Sequence, residues 1–196
     1  MLHFDSDYME GAHPKVMENL MATNLEQTPG YGTDTHTENA KRLIKEAIGN
    51  PDAEIYFLVG GTQTNATVIG SVLRGGEAVV AADSGHINVH EAGAIEATGH
   101  KVLTVKGKDG KIVPEDLESF LDGFFSDETW NHMAIPAMVY ISNPTEYGTL
   151  YYLEELEAIG EICRKYSLTL YMDGARMGYG LAAKGNNLTI KDIAKI

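Results

Sequence analysis

Apolar positions along the chain follow two periods. Behind Pro14, which suits the first position of a helix, Val16, Met17, Leu20 and Met21 recur at helical spacing. Thr35 and Glu38 form a capping-box pattern ahead of one apolar stripe, Ala40, Leu43, Ile44, Ala47 and Ile48. Gly49 suits the position just past that helix. From there the chain changes character. Short apolar runs at 55–59, 78–82, 102–105, 137–141 and 168–172 read as strands. Helical patterns separate them. One starts at Thr62 as N-cap and runs to about Leu73. Another runs from His86 to Thr98 and is stopped by Gly99. Pro114 opens a third, carrying Leu117, Phe120, Leu121 and Phe124. A fourth, over 153–166, turns Leu156, Ile159, Ile162 and Cys163 inward, and a last begins at 189–196. Residues 1–12 read as an irregular arm, 28–34 as a loop and 106–110 as a turn.

Strands and helices alternate at lengths that suit βαβ crossovers. The fold class predicted is therefore α/β, with a mostly parallel sheet and helices on both faces. No linker interrupts the pattern. Residues 1–27 form an arm and helix, and 28–196 one large domain.

Composition narrows the picture. With 43% hydrophobic residues over 196 positions, the chain is globular and long enough for a real core. Its net charge of −13 argues against nucleic acid and anionic membrane surfaces as partners. The single cysteine, Cys163, rules out an internal disulfide and fits a reducing cytosol. The start, Met1-Leu2-His3-Phe4-Asp5, has neither the basic nor the apolar segment of a signal peptide, and no apolar run reaches membrane-spanning length.

Three stretches carry chemistry, each at the C-terminal end of a predicted strand, where ligands bind in parallel sheets. In Gly60-Gly61-Thr62-Gln63-Thr64-Asn65, glycines let the backbone approach an anion and a helix start offers free N–H groups, so the stretch can cradle a phosphate. It matches neither a dinucleotide fingerprint nor a Walker loop. It also serves equally as a plain tight turn. In Asp83-Ser84-Gly85-His86-Ile87-Asn88-Val89-His90-Glu91, the two histidines are spaced i,i+4. They read as a platform for a flat ligand with an acid or base beside it, as a zinc pair, or as two solvated histidines. In Leu168-Thr169-Leu170-Tyr171-Met172-Asp173-Gly174-Ala175-Arg176, a buried strand delivers a carboxylate and then a base. These form a structural ion pair or a ligand anchor. A flat anionic cofactor with a basic ring nitrogen would use all three stretches, and pyridoxal phosphate is such a molecule.

Taken with Phe4-Asp5-Ser6-Asp7, Tyr31-Gly32-Thr33-Asp34 and Ala92-Gly93-Ala94, these stretches resemble the threonine aldolase / aromatic amino acid β-eliminating lyase family of fold-type I pyridoxal-phosphate enzymes. The likeness is strongest to low-specificity L-threonine aldolases and covers essentially the whole chain. It implies that Gly60, Gly61 and Thr62 bind the cofactor phosphate, with Gly60 where many members have Ser. It places His86 on the pyridine ring near the substrate hydroxyl, Asp173 at the ring nitrogen, Arg176 against cofactor or substrate oxygen, and Ser6 near the substrate carboxylate. His90 stands where an aromatic residue is common. The implied reaction is retro-aldol cleavage of threonine and similar β-hydroxy amino acids to glycine and an aldehyde, with His86 first and His90 second as candidate base. The implied cofactor is pyridoxal 5′-phosphate, the partner a small amino acid, and the assembly a homodimer or homotetramer.

One family part has no match. The lysine that carries the cofactor as a Schiff base is absent, since Lys184, Lys191 and Lys195 lack the expected strand and neighbours. The last predicted helix leads to no strand. The chain therefore reads as an N-terminal portion of a fold-type I large domain, truncated before that lysine. A β-eliminating amino acid lyase and a non-catalytic protein of this fold remain the alternatives.

Overall fold

The computed structural model describes residues 8–196; residues 1–7, including Ser6 and its motif, lie outside the described residues. The chain forms two compact units that divide between Ile44 and Lys45.

In the first unit, α1 (Pro14–Thr23) starts with proline at its first turn, and the His13 side chain accepts from the Lys15 N–H. Its apolar residues Val16, Met17, Leu20 and Met21 are exposed. Helix α2 (Thr35–Ile48) begins as the pattern predicts, but its cap is Asp34 rather than a Thr35–Glu38 box. Asp34 accepts from the N–H of Thr37 at 2.9 Å and from its hydroxyl at 2.6 Å. A carboxylate one residue earlier reaches the free N–H groups of the first turn better than the threonine does. Hydrogen bonds from Thr37 hold the Asp34 carboxyl below its ordinary pKa.

In the second unit, Gly49 ends α2 with φ +70° and the Asn50 N–H donates back to the Lys45 carbonyl, a Schellman closure. Four strands follow: β1 (Glu77–Ala82), β2 (Lys101–Val105), β3 (Ile135–Ser142) and β4 (Thr169–Asp173). They form one sheet in the order β2-β1-β3-β4, with every pairing parallel. Alternation along the central strands divides the core. Val80, Ala82, Val139 and Ile141 face α5 (Pro114–Ser126) and α6 (Leu153–Lys165) through Leu117, Leu121, Leu156 and Ile159. Val79, Ala81, Met138 and Tyr140 face Ile69 of α3 (Gly61–Val72), with Ile87 and Ile95. The sheet is thus covered on both faces, as the near-continuous apolar runs of β1 and β3 require.

Three sequence expectations are corrected. Residues 55–59 are not a strand: among the described residues they pair with no neighbour, and Tyr56, Phe57, Leu58 and Val59 are exposed. An apolar run becomes a strand only where a ladder partner satisfies its backbone. Strand β4 is an edge strand in the described sheet and only partly buried, rather than covered on both faces. The helix expected from His86 to Thr98 breaks after one turn. Helix α4 (His86–Val89) is followed by Ala92 at φ +52° and Gly93 at φ +76°, and the chain resumes as a 3-10 turn at Glu96–Thr98. Two successive left-handed residues cannot continue a right-handed helix. Beyond β4, α7 (Met177–Ala182) forms where no element was predicted, and α8 (Ile190–Ile193) starts with Thr189 and Asp192 as a capping box. Among the described residues no helix is long and apolar enough to cross a membrane.

Candidate active site

The C-terminal ends of β1, β3 and β4 and the start of α3 meet on one side of the sheet. Register sets the geometry: Tyr140 pairs with Tyr171, and Ser142 with Asp173. Because strand side chains alternate, these four lie on the face that α3 covers. The Tyr140 and Tyr171 rings meet edge to face at 5.6 Å.

Asp173 sits at the end of β4, and its carboxylate is gripped from three directions. Tyr140 donates its hydroxyl to Oδ2 at 2.8 Å, Asn65 donates Nδ2 to the same oxygen at 3.1 Å, and the Ala175 N–H donates to Oδ1 at 2.9 Å. Burial, and next the negative charge of Asp173, drive the Tyr140 pKa far above its ordinary value. Tyr140 is therefore a fixed donor, held protonated beside the anion it serves. Burial does the same to Tyr171, which donates to Asn65 Oδ1 at 2.6 Å.

Asn65 is the hub. It is 1% exposed, and its second Nδ2 hydrogen bond goes to Glu91 Oε1 at 2.6 Å. Glu91 in turn receives His86 Nδ1 on Oε1 at 2.8 Å. His86 extends the network: its backbone N–H donates to Glu146 Oε1 at 2.9 Å, and Ser142 donates to the same oxygen at 2.6 Å. Ser142 also lies 3.3 Å from the Tyr140 hydroxyl. One hydrogen-bonded chain therefore runs from Tyr140 through Asp173, Asn65, Glu91 and His86 to Glu146 and Ser142, and its two ends come within 3.3 Å of each other. Within it, Glu91 Oε2 is buried and has no partner among the described residues. Leaving a buried polar atom unsatisfied costs roughly 1–3 kcal/mol.

The glycine stretch opens α3 one turn before this hub. Gly60, not Thr62, is the N-cap, at φ +80° and ψ 150°, a region open essentially to glycine alone. Gly60, Gly61 and Thr62 are exposed, and a Cβ at either glycine would meet nothing within 4 Å. The first turn of α3 is thus exposed and uncrowded, as an anion site requires. Asn65 lies four residues beyond Gly61, about 6 Å along the helix, so the cradle and the Asp173 carboxylate are held at a short fixed spacing. The residues fit pyridoxal phosphate. A carboxylate offers roughly four acceptor positions, and the described hydrogen bonds fill three at Asp173, leaving one for a protonated ring nitrogen.

The structure brings Gly60, Gly61, Thr62, His86 and Asp173 to one edge. His90 is exposed at the end of α4, its ring 5.4 Å from that of His86. Arg176 stands at the N-cap of α7, just past β4. Among the described residues no group of three or more His, Cys, Asp and Glu is placed to hold a metal ion. The zinc pairing of His86 with His90 has no third ligand there.

The sequence pattern assigns no individual role to Asn65, Glu91, Tyr140, Ser142, Glu146 or Tyr171. The signal for some was present. Tyr171 is two residues before Asp173, and Tyr140 two before Ser142, so each polar strand end repeats a face.

Residues 3–195 match the beta-eliminating lyase family. The chain belongs to that family. Among curated relatives, a low specificity L-threonine aldolase from a Pseudomonas species is 29% identical over 184 residues, covering 93% of this chain and 52% of the relative. Among solved structures, a threonine aldolase from Leishmania major is 47% identical, with a TM-score of 0.92 over 97% of this chain and 54% of that one. A pyridoxal-phosphate-bound C-S lyase from Staphylococcus hominis, at 14% identity and a TM-score of 0.62, shares the fold alone. These likenesses bear out the fold class: the chain has the α/β architecture of the fold-type I large domain. The chain spans about half the length of the curated relatives it matches.

Proposed function

We propose that the full-length protein is a carbon–carbon lyase that uses pyridoxal phosphate to cleave threonine and similar β-hydroxy amino acids to glycine and an aldehyde. The observation that carries this reading is the grip on Asp173. A carboxylate at a strand end, fixed by Tyr140, Asn65 and Ala175, is tied through Asn65 to a helix whose open, glycine-lined start lies about one turn from that asparagine. The threonine aldolases among the relatives support the substrate class.

When bound, the cofactor supplies an electron sink for the breaking Cα–Cβ bond. This chain's residues do the rest. The N–H groups opening α3, with Gly60, Gly61 and Thr62, bind the phosphate. Asp173 keeps the ring nitrogen protonated. His86 takes the proton from the substrate β-hydroxyl, with His90 beside it as second candidate. Arg176, close after Asp173, and Ser6 bind carboxylate or cofactor oxygen. The reading takes the cofactor-bearing lysine from sequence beyond Ile196, supported by relatives about twice as long.

The test is product analysis with full-length protein. Acetaldehyde and glycine from threonine support the reading. Ammonia and pyruvate from serine or cysteine instead point to the β-eliminating alternative, and neither product to a non-catalytic protein.

A further inference from the structure

His86 does not stand alone at the site edge. The break after α4, at Ala92 and Gly93, follows Glu91 directly, and Glu91 lies 2.8 Å from the His86 ring. The Glu91 side chain is 0% exposed, whereas that of His86 is 39% exposed. The contact is made through Nδ1. The ring is thus anchored at one nitrogen by a buried carboxylate while part of it stays open.

The chemistry of that contact fixes the proton. An imidazole is a stronger base than a carboxylate, so a proton shared by the two resides on Nδ1. Glu91 Oε1 already accepts from Asn65 Nδ2, consistent with an acceptor that carries no proton of its own. A neutral imidazole with Nδ1 protonated has Nε2 as a free acceptor. Among the described residues, His86 also meets Glu146, on its backbone N–H, and the neighbouring His90 ring. Through Asn65, the Glu91 carboxylate is also tied to Asp173.

We propose that Glu91 is the positioning carboxylate of this site: it holds His86 as the Nδ1–H tautomer and so leaves Nε2 as the atom that takes the substrate hydroxyl proton. The second half rests on the function proposed above; the first half does not. Glutamine at position 91 could make the same two hydrogen bonds. What the carboxylate adds is charge, which strengthens the bond to the ring.

The test is imidazole nitrogen NMR on the 15N-labelled 196-residue chain, with no cofactor added. Wild type is expected to show His86 as the Nδ1–H tautomer, with a downfield Nδ1 proton. Glu91→Leu loses that proton signal and shifts His86 towards Nε2–H, while His90 keeps its wild-type spectrum. Glu91→Gln retains the tautomer with the proton resonance moved upfield, and decides the matter if the leucine variant fails to fold. An Nε2–H His86 in wild type, or a glutamine spectrum identical to wild type, overturns the proposal. In the full-length enzyme, Glu91→Leu is expected to lower kcat by about tenfold or more with KM unchanged. Absence of threonine cleavage by the wild-type enzyme would count against the proposed function and leave the NMR result standing.

Discussion

Asn65 Nδ2 donates to Asp173 Oδ2 at 3.1 Å, across 108 positions of sequence. The same amide donates to Glu91 at 2.6 Å, so one neutral side chain separates two carboxylates and ties both to the start of α3. Without donors between them, the two acids would repel. Asn65→Asp removes both donors and adds a third acid. It is expected to cost about 3 kcal/mol or more at neutral pH, the scale of an uncompensated buried charge. Acids crowded together have raised folded-state pKa values, so the deficit shrinks as pH falls. Urea unfolding of wild type, Asn65→Ala and Asn65→Asp across pH checks this; a deficit independent of pH contradicts it.

Gly60 and Gly61 look alike in sequence but differ in backbone. Only Gly60 has positive φ, and a Cβ at either finds open space. Gly60→Ala is therefore expected to lower stability by about 1–3 kcal/mol through backbone strain alone. Gly61→Ala, inside the helix start, leaves stability nearly unchanged. Chemical denaturation of the pair separates them.

Much of the scaffold could be read from the chain. The inward residues of α6 (Leu156, Ile159, Ile162 and Cys163) are buried as their spacing predicts, and β1 and β3 carry the continuous apolar runs of covered strands. Residues 55–59 are just as apolar yet form no strand, because a run of apolar residues does not state whether a partner lies beside it. The anchors Gly61, His86 and Asp173 were legible because strand ends and glycines mark them. The network joining them was not. Asn65 and Glu91 belong to motifs whose local pattern reads as helix, and the left-handed turn at Ala92 that follows Glu91 is invisible to helical periodicity.

Asp34 provides a pH signature in the first unit. Its hydrogen bonds from Thr37 lower its folded pKa below 3.8, so its contribution is present above that value and lost as pH falls through the folded pKa. Circular dichroism of wild type and Asp34→Ala is expected to show less helix in the variant near neutral pH. The two curves should converge in acid. Curves that stay parallel contradict the capping role.

Cys163 lies in the core between α6 and the sheet, 2% exposed. Burial pushes its thiol up to about 12, against a small opposing effect of Arg164. The native chain is expected to resist thiol reagents at mildly alkaline pH and to react at one site once unfolded. Rapid labelling of the native chain would show that α6 does not pack as described.

Cofactor binding at this sheet edge is measured most directly by an absorbance titration with pyridoxal phosphate. It compares the 196-residue chain, its Asp173→Ala and Gly60→Ala variants, and a version extended past Ile196. The chain is expected to bind reversibly, to weaken about tenfold or more when Asp173 loses its carboxylate, and to form the Schiff-base band only in the extended version. Binding indifferent to Asp173, or no binding by the extended protein, would contradict the assignment of this sheet edge to the cofactor.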